Sequence, residues 1–172
     1  MRVNPYIEPL LRNVTELLNE PPASADDLRQ RWTEKGMPLP GRPVAADVNL
    51  VERYLSDWAF VVDSANDKER VDRLNGMLDR YTARPSITDH DGSGWHLHFR
   101  DPVVGFAETL AGATTAAAAQ YLCDRGMHRV GRCAAADCEQ AFVDFSRPGK
   151  QRYCTHVCAN RDAVRRYRER MR

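Results

Sequence analysis

The stretch CAAADCEQAFVDFSRPGKQRYCTHVCANRDAVRRYRERMR, from Cys133 to Arg172, decides how this chain is read. It carries two close pairs of cysteines, Cys133-x4-Cys138 and Cys154-x3-Cys158. Four thiolates supplied as two close pairs are what a tetrahedral structural zinc takes. The first pair can form a knuckle, where a tight turn points both sulfurs inward. The second pair stands at i and i+4, so both thiols share one face of a helix's first turn. His156 lies between them, but four cysteines already close a tetrahedron. A closed four-sulfur site leaves no position for water, so one zinc here is structural.

Between the pairs, Ala141, Val143 and Phe145 alternate with Phe142 and Asp144, which reads as a strand. Pro148-Gly149 supplies a turn, and Gln151–Tyr153 reads as the returning strand. Knuckle, hairpin and helix make a treble-clef-like finger. In the helix after Cys158, Val157, Val164, Tyr167 and Met171 form one stripe, expected to cover the hairpin. Arg161, Arg165, Arg168 and Arg172 step along a neighbouring face, with Arg166 and Arg170 beside them. Arg147, Lys150 and Arg152 add cations at the same end. The planar guanidinium suits phosphates and guanine edges, so this face is the candidate nucleic-acid surface.

Working outward, the chain has 172 residues, 42% of them hydrophobic and 28% charged, with a net charge of +1. That is ordinary for a globular protein and excludes a disordered acidic chain or a wholly basic coat. The even balance hides an asymmetry. Residues 1–128 hold 14 Lys/Arg against 19 Asp/Glu, whereas residues 129–172 hold 11 against 5. Five cysteines, an odd number, argue against a secreted disulfide framework. No window approaches a membrane span, and Asn4, Pro5, Glu8 and Arg12 interrupt any apolar leader, so a cytoplasmic protein is expected.

Residues 1–128 read as mostly helical. Tyr6, Leu10, Leu11, Val14, Leu17 and Leu18 recur at helical spacing. Ser24 is an N-cap before Asp26 and Asp27. Two further stripes run from Val48 to Val62 and from Val71 to Tyr81. Around 86–99 the period changes. Trp95, Leu97 and Phe99 alternate with Gly94, His96 and His98 as a half-buried strand, hairpinned back to Ile87 through 89–94. Asp101-Pro102 opens an alanine-rich helix that ends at the C-cap Gly126 and should lie buried in the centre, with Cys123 as a small buried hydrophobe. The fold class expected is α+β, mostly α-helical. It joins a helical domain over 1–128, with one β-hairpin near 86–99, to a zinc finger over 129–172.

At its C-terminal residues the sequence resembles the CGNR zinc-finger proteins, bacterial proteins with an N-terminal helix-plus-hairpin ABATE domain. The segments that carry the likeness are Cys133-Ala-Ala-Ala-Asp-Cys138, Ala-Phe-Val-Asp-Phe-Ser-Arg from Ala141, Arg-Tyr-Cys154, and Cys158-Ala-Asn-Arg161. The family tetrad is Cys-Gly-Asn-Arg, and alanine stands at 159 here, which a helix's first turn accommodates at least as well. Over 1–128 the likeness is looser, with Asn19, Leu74-Asn75, the Trp95 strand and the alanine-rich helix matching in order. The resemblance implies Cys133, Cys138, Cys154 and Cys158 as zinc ligands. It makes Asn160 and Arg161 signature residues; on the geometry expected here Asn160 can bond the hairpin backbone and Arg161 can pair with Asp144 or meet phosphate. It further implies a stress-induced transcriptional regulator whose finger binds DNA.

No catalytic set is assembled. Gly-x-Ser-x-Gly, Gly-x-Gly-x-x-Gly and His-Glu-x-x-His do not occur, and His96 and His98 have no third metal ligand in view. Two functions remain. In one, the finger reads DNA while the helical domain senses a small molecule or a protein partner, and a homodimer would fit such a regulator. In the other, a zinc-stapled module docks an acidic partner or senses a ligand without touching nucleic acid. If acidic residues of 1–128 cover the arginine face, the second gains. If that face is open, the first does.

Overall fold

The computed structural model describes residues 7–36, 41–89, 94–99 and 104–171. Six α-helices are described: α1 (Ile7–Asn19), α2 (Ala25–Glu34), α3 (Ala45–Val62), α4 (Asp67–Tyr81), α5 (Phe106–Arg125) and α6 (His156–Arg170). Two antiparallel two-stranded sheets join β1 (Ser86–Thr88) to β2 (His96–His98) and β3 (Val130–Arg132) to β4 (Ala141–Val143). A 3-10 turn, Met127–Arg129, links α5 to β3. The architecture is mostly helical α+β, and no described helix is long and apolar enough to cross a membrane.

Helix α5 lies in the middle, packed by α1, α3 and α4. Its alanines allow this, since small side chains let three neighbours approach at once. Ala107, Ala111, Ala117, Ala118, Leu110 and Leu122 are all buried. Helices α3 and α5 run side by side in the same direction. Asp47 Oδ1 accepts from the Ala107 amide at 3.1 Å, and seven residues on along both helices Tyr54 meets Thr114 Oγ1 at 2.5 Å. Asp47 also accepts from the Val44 amide at 2.7 Å, so one carboxylate serves the orphan donors of two helix starts. At the other end buried Arg70 donates to the carbonyls of Val61 and Val62, which end α3, and to Met127 O at 2.9 Å. Ser24 caps α2 by accepting from Asp27 N, and Gly126 closes α5 at φ +108°, a backbone few side chains tolerate.

Several expectations change. Helix α5 starts at Phe106 with Gly105 as its N-cap, and Asp101 and Pro102 lie outside the described residues. So do Tyr6 and most of the 89–94 turn, although the register Ile87↔Leu97 is as the alternation requires. The first hairpin is not half-buried through its apolar face. Ile87, Trp95 and Leu97 are exposed, while His98 and Phe99 are half-buried. A two-stranded ribbon has a face to bury only if some element packs on it, and alternation alone does not say which face that is. Cys123 is exposed near the end of α5, not buried.

The second sheet also differs. The partner of β4 is β3, the segment immediately before Cys133, with Gly131↔Phe142 at its centre. Residues 151–153 form no strand. They return alongside the knuckle, where the Ala134 amide donates to Arg152 O at 2.8 Å. The knuckle is therefore the loop of the β3–β4 hairpin. Val130, Ala141 and Val143 are part of the same buried core as α1, α3 and α5.

Candidate metal centre and its basic helix

The knuckle is built by backbone bonds at both ends. Cys133 N donates to Gln140 O at 2.9 Å, continuing the β ladder, and Cys138 N donates to Ala135 O at 3.0 Å, making the tight turn. The other two sulfurs come from the start of α6. Thr155 is its N-cap and accepts from Cys158 N at 3.3 Å, which places Cys154 just outside the helix and Cys158 in its first turn. The positive end of the helix dipole thus faces the sulfurs, which favours thiolate over thiol.

All four sulfurs lie within 4.8 Å of one another. Zinc–thiolate bonds of about 2.3 Å at tetrahedral angles put sulfurs roughly 3.8 Å apart. The spacing here is 3.7 Å from Cys138 to Cys154 and 3.6 Å from Cys154 to Cys158. None of the four is in a disulfide. Cys133 and Cys158 are buried and the other two half-buried. The donor set and its spacing fit one structural zinc, with four thiolates completing its tetrahedron.

The charge chemistry agrees. Burial and then its three sulfur neighbours push the Cys154 thiol up to about 12. Four thiolates cannot share this volume without a cation, so zinc binding and proton release go together. Around the ligands, Cys154 N donates to Cys133 Sγ at 3.4 Å, and Arg161 Nη2 approaches Cys158 Sγ at 3.6 Å. Arg161 also pairs with Asp137 of the knuckle at 2.9 Å. It therefore ties α6 to the knuckle across the sulfurs. Asp144, its expected partner, is engaged elsewhere.

Asp144 is buried and organises the 144–151 loop. Its carboxylate accepts from Ser146 N at 2.8 Å and Gln151 N at 2.9 Å, and its carbonyl accepts from Tyr121 OH at 2.6 Å and Arg129 Nη1 at 3.1 Å. Burial pushes this carboxyl up, but the Ser146 and Gln151 bonds and the Arg129 charge outweigh it and hold it below the ordinary carboxylate value. Arg129 lies under Gly149, at φ +64°, where an added Cβ would sit 2.6 Å from the guanidinium carbon. Phe145 packs on Tyr121, and Arg12 stacks over its ring at 4.7 Å. Arg132 grips Asp63 at the end of α3 with two bonds of 2.8 and 3.0 Å.

Residues 129–171 match the model of the CGNR zinc finger family. The C-terminal module is therefore similar to a CGNR zinc finger over that stretch. No curated protein matches the chain. Ala159, where the family tetrad has glycine, is half-buried and its amide donates to Thr155 O at 3.2 Å as in any helix. Asn160 is exposed, and no hydrogen bond joins its side chain to the hairpin.

The cations of the finger fall into two groups. Arg165 and Arg166 are held by buried Asp162, at 2.7 and 3.0 Å, and Arg165 also pairs with Glu169. Asp162 in turn accepts from Tyr153 OH at 2.7 Å, fixing α6 to the segment before Cys154. Arg147, Lys150, Arg152 and Arg168 are exposed and make no ion pair with a carboxylate among the described residues, while Arg172 lies outside them. Of α6 only Cys158 and Asp162 are buried. The Val157, Val164, Tyr167 and Met171 stripe does not cover the hairpin. It is exposed, because β4 packs on α1 and turns Ala141 and Val143 into the main core instead of toward α6.

Sequence reasoning missed Arg129, Tyr121 and Asp137 as supports of the site. Asp137 carried the one available signal, an acid inside the four-residue span of the knuckle. Arg129 and Tyr121 carried none.

Proposed function

We propose that this protein is a cytoplasmic, stress-responsive transcriptional regulator whose CGNR finger binds duplex DNA through α6 and the adjoining 147–152 loop, and that it is not an enzyme. The observation that supports this reading is the open arginine face. Among the described residues the ion pairs of the α6 arginines are with Asp137, Asp162 and Glu169, all inside the finger, and none with the acidic residues of 1–128. A zinc-ordered helix that presents exposed arginines beside Arg147, Lys150 and Arg152 offers phosphates a preorganised, largely solvent-facing surface. Residues 1–128 are the ABATE-like part in this reading. They would take a small-molecule effector or a protein partner and pair two copies on a two-fold DNA site.

The test is fluorescence anisotropy of the zinc-loaded chain against a random-sequence duplex over a salt series. Five phosphate contacts give a log–log slope of about −4 to −5, a loss of several hundred-fold between about 50 and 200 mM salt. Arg168→Ala with Lys150→Ala should cut the slope by about two. Absence of binding at low salt overturns the reading.

A further inference from the structure

From Ala163 to Arg170 every residue of α6 is exposed, as is its C-cap Met171. The apolar ones are not scattered. Val157, Val164 and Met171 are seven residues apart, 70%, 49% and 69% exposed, and Tyr167 at 56% sits three past Val164, with Asn160 three past Val157. A seven-residue apolar repeat with a single polar interruption is the seam by which one helix packs on another. An open groove lined by Asn160, Arg161, Val164, Arg165, Arg168 and Glu169 runs beside it. Single exposed hydrophobes are common, but a contiguous stripe of large ones on a projecting helix marks a contact surface.

The residues flanking the seam select the occupant. Arg161 and Arg168 lie on one side, Ala163 and Arg170 on the other. A second copy of α6 would set Arg161 against Arg168 if antiparallel and would offer neither arginine an acid if parallel, which disfavours self-pairing. We propose that α6 docks an amphipathic helix of a partner protein, one with an apolar stripe and Asp or Glu on its flanks. Val157, Val164, Tyr167 and Met171 would supply the buried contact, and Arg168 and Arg170, which make no ion pair with a carboxylate among the described residues, would meet the acids. This goes beyond nucleic-acid binding, because phosphates engage the arginines and leave the stripe wet. Four helical turns bury a small area, so the contact is weak and exchangeable.

The probe is a three-heptad synthetic peptide with Leu and Ile in its stripe and Glu on both flanks, compared with the same peptide carrying Lys there. Anisotropy of the labelled peptide is read against the full zinc-loaded chain. Binding of the Glu peptide at about 10–100 μM is expected, at least about tenfold tighter than the Lys peptide. Val164→Gln with Met171→Gln replaces exposed residues only. This variant should keep its zinc and its affinity for duplex, yet lose about tenfold or more for the Glu peptide. Unchanged peptide affinity in that variant would reduce the contact to charge alone and overturn the proposal, as would no binding near 1 mM. A dimer of the parent chain that this variant dissolves would also overturn it in favour of self-pairing. Duplex binding is read separately, so its failure leaves the peptide result intact.

Discussion

Asn19 at the end of α1 pairs with Ala141 of β4 as a strand would. Its Nδ2 donates to Ala141 O at 2.9 Å and its Oδ1 accepts from Ala141 N at 2.7 Å, across 122 residues of sequence. The β3–β4 sheet has only two strands, so its β4 edge exposes a donor and an acceptor that need partners. One side-chain amide satisfies both and welds the finger to the helical bundle.

Asn19→Ala should therefore destabilise the zinc-loaded chain by about 1–3 kcal/mol, because both Ala141 groups lose their partner in a half-buried place. For a chain of this size the melting temperature falls by roughly 3–10 °C. Amide exchange at Ala141 should quicken more than at Phe142. Equal protection of Ala141 in parent and variant would show that the pairing carries no stability.

Removing one sulfur should separate what zinc holds from what the core holds. Cys158→Ser and Cys138→Ser are each expected to lose the metal, whose binding contributes about 10–16 kcal/mol to ordering such a module. Were zinc the only thing ordering residues 133–172, they would unfold as a block. The structure narrows the loss to the knuckle, residues 151–155 and α6, since Val130, Ala141 and Val143 stay anchored in the main core. Metal analysis with hydrogen exchange checks this. Retention of one zinc per chain rules out the four-cysteine site, and loss of protection in α5 means the metal supports the whole fold.

What could be read from the sequence follows from how local each feature is. The zinc ligands were legible because two close pairs of cysteines are the donor set of a tetrahedral zinc, although Cys154 stands before the N-cap Thr155 and not in the first turn of α6 as expected. The buried α5 was legible because alanine-rich, charge-poor helices have nowhere else to go. Strand partners were not. Val130–Arg132 is three residues long and has too little pattern to announce itself, so β4 was paired with the segment after it instead of the one before. The apolar stripe of α6 misled for a related reason. Periodicity names a face but not its neighbour, and β4, the expected neighbour, packs on α1 instead. Asn19 and Arg129 act over more than ten residues through backbone groups, which no side-chain pattern records.

Asp144 gives a pH signature with a definite sign. Its folded carboxyl titrates below the unfolded value of 3.8, so it adds stability above that value and loses it as pH falls further. Asp144→Asn presents one acceptor oxygen to the two amides of Ser146 and Gln151 and should cost about 1–3 kcal/mol at neutral pH. Denaturation of parent and variant in excess chelator, where 151–155 are loosened and the Ser146 amide remains the carboxylate's partner, should show a gap at the lower end of this range that shrinks below about pH 4. A gap constant down to pH 2.5 would mean that shape, not charge, is what Asp144 supplies.

Arg161 decides between two roles for the last residue of the signature. Its guanidinium lies 3.6 Å from Cys158 Sγ and 2.9 Å from Asp137 Oδ1, so it braces a ligand rather than reaching outward. Groups that orient metal ligands typically change metal affinity by about 10–100-fold when removed. Arg161→Ala is therefore expected to weaken zinc by about tenfold in competition with a chromogenic chelator, while the salt slope for duplex in saturating zinc stays that of the parent. Asp137→Ala should reproduce part of the zinc effect, because it frees the same guanidinium from its knuckle anchor. A phosphate-binding Arg161 would give the opposite pattern, with zinc affinity unchanged and the slope reduced by about one. Since the two readouts move independently, either result assigns the residue.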